Sequence, residues 1–178
     1  MIVAFDASIL IYVIDAHAKP PTDPATGHPV EHCRERVAHL FEVLEQQNAK
    51  IVIPTPALAE VLVRAVKAGA EFLRILSSSK CFRVASFDER AAIEFAASQA
   101  KRIADGERAP AVTRAKAKFD DQIVAITVVE GATTLYSDDE DIAKLAAGRL
   151  RVAPIASLPL PPESEQPELP FPANDQDD

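Results

Sequence analysis

Short apolar segments that end close to an acidic residue recur along this chain, and helical patterns separate them. The first segment, Met1-Ile2-Val3-Ala4-Phe5, is followed directly by Asp6. Later segments precede Glu60 and Asp139, and the Asp120-Asp121 pair opens a further helical pattern. Strands separated by helices predict a parallel sheet with right-handed crossovers. Because the carboxyl ends of parallel strands share one edge, the sequence predicts that these acids gather there.

Hydrophobic periodicity predicts an α/β fold with about five parallel strands in one sheet and helices on both faces. In the helix after the second strand, Ala59 and Val63 fall on one stripe, which predicts a buried face. In the helix that follows residue 86, Ile93 and Ile103 are expected on the buried side. The predicted strands are 2–5, 51–53, 81–84, 133–136 and 150–153, and the predicted helices begin near residues 9, 37, 55, 70, 86, 119 and 139.

The negative charge of the chain is concentrated at its C-terminal end. Six acids and no Lys or Arg lie within 157–178, so the net charge of −8 leaves −2 for residues 1–156. This segment is also rich in proline and lacks apolar periodicity. We therefore expect one domain over 1–156 and a disordered or loosely attached tail over 157–178. The acidic balance of the whole chain does not exclude a nucleic-acid substrate.

The cysteine content and the hydropathy indicate where the protein resides. Two cysteines, Cys33 and Cys81, are too few for a disulfide framework or a zinc cluster, which favours a reducing compartment. No basic and apolar leader is recognisable, and no apolar run reaches membrane-spanning length. We expect a cytoplasmic protein with no membrane partner.

Three of the acidic positions have an ordinary structural interpretation. Glu60 stands four residues before Arg64 and fits a surface ion pair on a helix. Asp120 fits the N-cap of the helix that follows it. The segment Ser137-Asp138-Asp139-Glu140 fits a capping box with acids in the first helical turn. Taken singly, none of these positions specifies a function.

Asp6 is harder to explain as a purely structural residue. A carboxylate that directly follows a five-residue apolar strand lies near the interior edge of the sheet, where an unpaired charge costs on the order of several kcal/mol. The nearest basic residue after it in sequence is Lys19, so another cation is needed. Four acids at one sheet edge would form an oxygen cage suited to Mg²⁺ or Mn²⁺.

The acids also belong to four short motifs that occur in a specific order. The motifs are Asp6-Ala7-Ser8 after the first strand, Pro54-Thr55-Pro56 leading to Glu60, Asp120-Asp121-Gln122-Ile123-Val124-Ala125 in a helix that runs to Gly131, and Ser137-Asp138-Asp139 after the next strand. In order and surroundings they resemble the PIN-domain family, which includes the VapC-like ribonucleases of toxin–antitoxin pairs. The resemblance covers about residues 1–153.

The resemblance implies a PIN-like fold and a ribonuclease that depends on Mg²⁺ or Mn²⁺. A divalent ion among the acids would reverse a local field that otherwise repels an anionic phosphodiester. The spacing of the third motif selects Asp120 over Asp121, and we expect Asp6 and Asp120 to bind the metal directly. The full expected set comprises the catalytic and metal-binding acids Asp6, Glu60, Asp120 and Asp139, the orienting hydroxyls of Ser8 and Ser137, and the additional acids Asp121 and Asp141.

RNA contacts need positive charge near these acids, and the basic residues that precede Asp120 supply it. We expect Arg114, Lys116 and Lys118 to contact RNA, while a solvated helix face explains the same residues equally well. The resemblance also implies a small antitoxin protein that covers the acidic pocket, and a homodimer.

Two other function classes remain open at this point. A noncatalytic PIN-like module would bind RNA or a protein and would not need a metal. A Mg²⁺-dependent phosphatase or phospho-acceptor domain also uses strand-end aspartates, but it more typically has an Asp-x-Asp motif or a second acid beside the first. Asp6-Ala7-Ser8 supplies neither. Measurement of Mn²⁺ binding separates the noncatalytic module from an enzyme.

Overall fold

The computed structural model describes residues 1–15, 17–65, 68–106 and 114–162, with side chains from residue 116 onward in the last range. Its elements are β1 (Ile2–Phe5), α1 (Ala7–Ile14), α2 (Cys33–Gln46), β2 (Lys50–Pro54), α3 (Thr55–Ala65), α4 (Gly69–Ser78), β3 (Phe82–Ala85), α5 (Glu89–Ala104), α6 (Arg114–Val129), β4 (Thr134–Tyr136), α7 (Glu140–Ala146) and β5 (Arg151–Ala153). Each strand lies within one residue of its predicted bounds. In the described ranges no helix is long and apolar enough to cross a membrane.

All five strands are parallel and lie in the order β3-β2-β1-β4-β5. The predicted α/β class and parallel five-stranded sheet are confirmed. The chain adds β2 and β3 on one side of β1 and then β4 and β5 on the other side. The strand order therefore reverses between β1 and β4, and the crevice outside the carboxyl ends of these two strands is where such sheets bind ligands.

Helices cover both faces of the central strands. Val3, Ala4 and Phe5 are at most 1% exposed. Since successive side chains of a strand point to opposite faces, their consecutive burial requires cover on both sides. The Phe5 ring packs edge-on against Phe41 of α2 and Tyr136 of β4, with ring centroids 5.1 and 5.3 Å apart. This packing fixes the end of β1, from which Asp6 emerges.

Helix α3 buries a different face from the one that periodicity predicted. Ala57 and Val61 are fully buried, whereas Val63 is 79% exposed. The expectation of a buried stripe through Ala59 and Val63 is wrong. Residues 57 and 61 lie one turn apart and pack inward, and Val63 lies about 200° further round the helix than Val61. Val63 therefore faces away from the core.

The prediction of an apolar buried face on α5 is also wrong. Ile93 and Ile103 are 64% and 74% exposed. The inward face of this helix is partly polar, since Gln99 and Arg102 both bind the buried carboxylate of Asp121 in α6. The spacing of apolar residues does not predict which side of a helix faces inward when the contacts on that side are ionic.

The described chain continues into the segment that we assigned to the tail. A 3-10 turn at Ile155–Ser157 leads to Leu158, which is 4% exposed and belongs to the core. The Leu158 carbonyl oxygen accepts a hydrogen bond from Arg36 Nη1 of α2. Most of the proposed tail, 163–178, lies outside the described residues, so the division at residue 156 stays a prediction.

Candidate metal centre

Asp6 occupies the junction of β1 and α1. It is 5% exposed, and its carboxylate caps α1 by accepting a hydrogen bond from Ser8 N at 3.5 Å. Oδ2 also accepts hydrogen bonds from Ser8 Oγ at 3.0 Å and from Ser137 Oγ at 2.9 Å. Within the described ranges these hydrogen bonds all use Oδ2, which leaves Oδ1 available to a cation.

The two serine hydroxyls connect Asp6 to the loop after β4. Ser8 Oγ accepts a hydrogen bond from Asp138 N at 3.0 Å, and Ser137 Oγ accepts one from Asp139 N at 3.1 Å. The register of β1 and β4 makes this possible, because Phe5 pairs with Tyr136 and the next residues are then adjacent. Both serines thus bind the Asp6 carboxylate, and each also binds a backbone N–H of the loop after β4. They therefore fix the position of Asp6 relative to that loop.

Asp120 approaches the same region from α6. It is 6% exposed. Burial, together with the negative charges of Asp139, Asp6 and Asp141, raises the pKa of Asp120 to about 6, although Lys116 acts in the opposite direction. Carboxylate oxygens of Asp120, Asp139 and Asp141 lie within 4.8 Å of one another. This cluster of like charges favours the uptake of a proton or a cation.

Lys116 lies one helical turn before Asp120, and its ammonium group sits among the three acids. Its Nζ atom is 2.8 Å from Asp139 Oδ2, 3.3 Å from Asp141 Oδ2 and 3.9 Å from Asp120 Oδ2. These carboxylates raise the pKa of Lys116 above its ordinary value, with the hydrogen bond to Asp139 as the largest cause. The residue expected to contact RNA is therefore paired with acids in this structure.

Asp139 has a structural contact as well as its place in the cluster. Its Oδ1 atom caps α7 by accepting hydrogen bonds from Asp141 N at 2.8 Å and Ile142 N at 3.4 Å, while Oδ2 faces Lys116. Burial acts to raise the pKa of Asp139, but the hydrogen bonds from Lys116 and the α7 backbone outweigh it and lower the pKa. Asp139 can therefore cap α7 through Oδ1 and still offer Oδ2 to a cation.

Glu60 lines the same cleft from α3. Its carboxylate pairs with Arg64 Nη2 at 2.7 Å, and the two side chains are 50% and 54% exposed. The ordinary ion pair considered from the sequence is thus present. Glu60 lies outside the tight cluster formed by Asp120, Asp139 and Asp141.

Asp138 also lines the cleft, although it is not among the site residues predicted from the sequence. Burial raises the pKa of Asp138 to about 6, against a hydrogen bond that its Oδ1 accepts from Ile155 N at 2.8 Å. In the sequence, residues 138–141 are all acidic, and this run did not indicate which of them line the cleft.

Asp121 and the predicted basic residues lie in several different environments. Asp121 turns toward α5, where both of its oxygens are 2.7 Å from Arg102 Nη2 and Oδ2 is 2.6 Å from Gln99 Nε2. Lys118 is exposed on α6. The side chain of Arg114 lies outside the described residues. Of the predicted basic set, the structure brings Lys116 to the acids.

The cleft around these groups has a volume of about 680 Å³. Its apolar lining includes the exposed side chains of Val63 and Phe119. Acidic side chains also line the cleft, among them Glu60 of α3 and Asp120 of α6. Its lining residues are Asp6, Ser8, Pro56, Ala59, Glu60, Val63, Arg64, Lys116, Phe119, Asp120, Ile123, Asp138, Asp139 and Ile142.

The chemistry of the acidic cluster fits a hard divalent cation. The donors are carboxylate oxygens, which suit Mg²⁺ and Mn²⁺ better than softer metals. An ammonium group already takes a cationic position between three of them. Asp120, Asp139 and Asp141 are close enough to hold such an ion together, and Asp6 and Glu60 line the same cleft.

The fold is shared with solved toxin–antitoxin proteins. VapBC2 from Rickettsia felis, solved bound to a promoter DNA fragment, matches with a TM-score of 0.58 and 16% identity over 86% of this chain and 98% of that chain. VapBC-1 from nontypeable Haemophilus influenzae gives 0.56 and 13% over 87% and 98%. VapC20 from Mycobacterium tuberculosis, a toxin that cleaves the sarcin-ricin loop, gives 0.54 and 16% over 85% and 99%.

Comparisons of sequence alone did not identify relatives. No protein-family model matched the chain, and no curated protein matched it. Identities of 13–16% with the three structures establish similarity of fold. The chain therefore has the PIN fold, and its structural neighbours are the VapC toxins of toxin–antitoxin pairs.

Proposed function

We propose that this protein is a ribonuclease that depends on Mg²⁺ or Mn²⁺ and acts as the toxin of a toxin–antitoxin pair. The observation that carries the proposal is the convergence of Asp120, Asp139 and Asp141, with oxygens within 4.8 Å, beside Asp6 at the carboxyl edge of the sheet. Such a cluster would repel an RNA phosphodiester unless a cation were bound among the acids.

The described side chains support specific roles in this reaction. Asp6 and Asp120 would bind the metal directly, and Glu60 and Asp139 would complete its coordination directly or through water. Ser8 and Ser137 would keep the Asp6 carboxylate in one orientation. The bound ion would supply positive charge to the phosphate and favour ionisation of the attacking water.

The proposed partners follow from the structural neighbours. Several of these neighbours are VapBC complexes, two of them with DNA. We propose that a small antitoxin covers the acidic cleft of this chain and that the chain forms a homodimer. Co-expression with the product of an adjacent small gene tests the first point, since it should relieve growth arrest caused by the chain alone.

The direct test of the nuclease proposal is incubation of the purified protein with total RNA and Mn²⁺, followed by mapping of the fragment ends. The wild-type protein should cleave RNA with Mn²⁺ and lose this activity in EDTA. Asp120→Asn should abolish cleavage while thermal unfolding remains cooperative. Glu140→Gln is a matched control, because it removes an exposed acid of α7 that does not line the cleft.

The noncatalytic alternative predicts a different pattern. RNA would be bound equally well with Mn²⁺ and with EDTA, its length would not change, and calorimetry would detect no Mn²⁺ binding. Cleavage that survives Asp120→Asn would contradict the assigned site even if the protein were a nuclease.

A further inference from the structure

The position of Lys116 is the unexpected feature of the acidic cleft. Its ammonium group contacts the same three carboxylates, of Asp120, Asp139 and Asp141, that are close enough to share a metal ion. A Mg²⁺ ion bound by these oxygens at its ordinary distance of about 2.0–2.1 Å would need the space between them. The ammonium group and the ion therefore compete for one position.

The lysine can leave this position without a change in the fold. Its side chain is 52% exposed, and it is attached to the regular helix α6, so rotation about its side-chain bonds carries Nζ into solvent. Lys144 also reaches Asp141, at 3.6 Å, but it is 70% exposed. Among the ion pairs of the described residues, Lys116 is the cation that bridges Asp120, Asp139 and Asp141.

We propose that Lys116 is a tethered counterion that occupies the acidic cluster in the metal-free protein and must be displaced when a divalent ion binds. Its presence keeps the carboxylates together in the absence of metal. It also weakens metal binding, since the ion has to replace an interaction that already exists. Lys116 thereby sets the metal concentration at which the site fills. This inference rests on the proposed metal site.

Lys116→Met tests the proposal, because methionine keeps the approximate length of the side chain and removes its charge. Isothermal titration calorimetry of the RNA-free protein should show Mn²⁺ bound at least about tenfold more tightly by the variant, as expected when a cation about 3–4 Å from the ligands is removed. In EDTA the variant should melt at a lower temperature, since the acids lose their counterion, and Mn²⁺ should raise its melting temperature by more than it raises that of the wild type.

Two further variants make the result specific. Lys116→Arg keeps the charge and should keep Mn²⁺ binding close to that of the wild type. Lys118→Met makes the same charge change two residues along α6 and should change the Mn²⁺ affinity much less than Lys116→Met. If Lys116→Met does not fold, Lys116→Gln serves as the neutral variant with the same expected gain in affinity.

The possible outcomes separate this inference from the proposed function. Mn²⁺ binding by the wild type that is not strengthened in Lys116→Met overturns the inference and leaves the metal site standing. Absence of Mn²⁺ binding in both proteins overturns both proposals. Binding by the variant alone supports the tethered counterion and contradicts a metal-dependent activity of the wild type.

Discussion

Ser137 Oγ donates a 2.9 Å hydrogen bond to Asp6 Oδ2, although the two residues are 131 positions apart in the sequence. Both groups are buried, and Ser137 is only 2% exposed. The bond exists because β1 and β4 are adjacent parallel strands that end at the same level. It joins the two sides of the crevice at which the strand order reverses.

Replacement of Ser137 by Ala should therefore affect stability and metal binding together. Loss of a buried hydrogen bond should lower the free energy of unfolding by about 1–2 kcal/mol. The affinity for Mn²⁺ should also fall, because Asp6 Oδ2 loses a donor and Asp139 N loses its acceptor. Urea unfolding and calorimetry measure the two effects. Ser157→Ala, which removes an exposed hydroxyl, is the control; a Ser137→Ala variant that lost stability alone would show a purely structural role.

Adjacent acids of α6 should give opposite results when each is changed to Asn. Asp121→Asn weakens a buried pair with Arg102 and should lower the free energy of unfolding by about 1–3 kcal/mol, with little change in Mn²⁺ affinity. Asp120→Asn should abolish Mn²⁺ binding and should stabilise the metal-free protein near pH 7.5, by about 1–2 kcal/mol, because it removes a carboxylate whose pKa is raised to about 6. Equal effects of the two substitutions on Mn²⁺ binding would contradict the assignment.

The pH dependence of stability should report on Asp138. Its pKa is raised to about 6 from 3.8, so its contribution to stability is fully present below about pH 4 and is lost as the pH rises through 6. Asp138→Asn removes this contribution. The difference in free energy of unfolding between variant and wild type, measured by urea titration in EDTA, should therefore shift in favour of the variant by about 1–2 kcal/mol between pH 4 and pH 7. A difference that does not change with pH would show that Asp138 ionises normally.

Salt dependence should identify the charges that contact RNA. Lys118 is exposed on α6, two residues before Asp120, and is the predicted RNA contact that is free of the acidic cluster in the described structure. Lys118→Gln should reduce the slope of log affinity against log salt by about 0.7, the value for one phosphate contact with a single strand. The measurement uses a non-cleavable RNA in Mn²⁺. Lys50→Gln, at the opposite end of the sheet, should leave the slope unchanged.

The fold could be predicted well from local patterns. The apolar run before Asp6 and the strand before Glu60 are buried on both faces, so they appear in the sequence as continuous hydrophobic segments. The glycine at residue 131 has a φ of +73°, a conformation that ends a helix and that glycine adopts without strain. Each of these features depends only on a few neighbouring residues, and for this reason it can be recognised in the sequence alone.

The helix faces and the pairing of charges could not be predicted in the same way. The buried side of α5 includes Gln99 and Arg102, and their partner Asp121 is in another helix. Lys116 and Lys118 are equivalent as sequence, yet only the first is paired with the acidic cluster in the described structure. The two side chains point to nearly opposite sides of α6, because residues two apart are separated by about 200° of rotation around the helix axis.

The sequence by itself determined the order of strands and helices, and it identified the acids that could meet at the carboxyl edge of the sheet. The tertiary structure alone decided that Asp121 pairs with Arg102 of α5, and that Lys116 joins Asp120, Asp139 and Asp141. The physical reason is that strand formation depends on local hydrophobic pattern, whereas the pairing of charges depends on distances between helices that are fixed only when the core has packed.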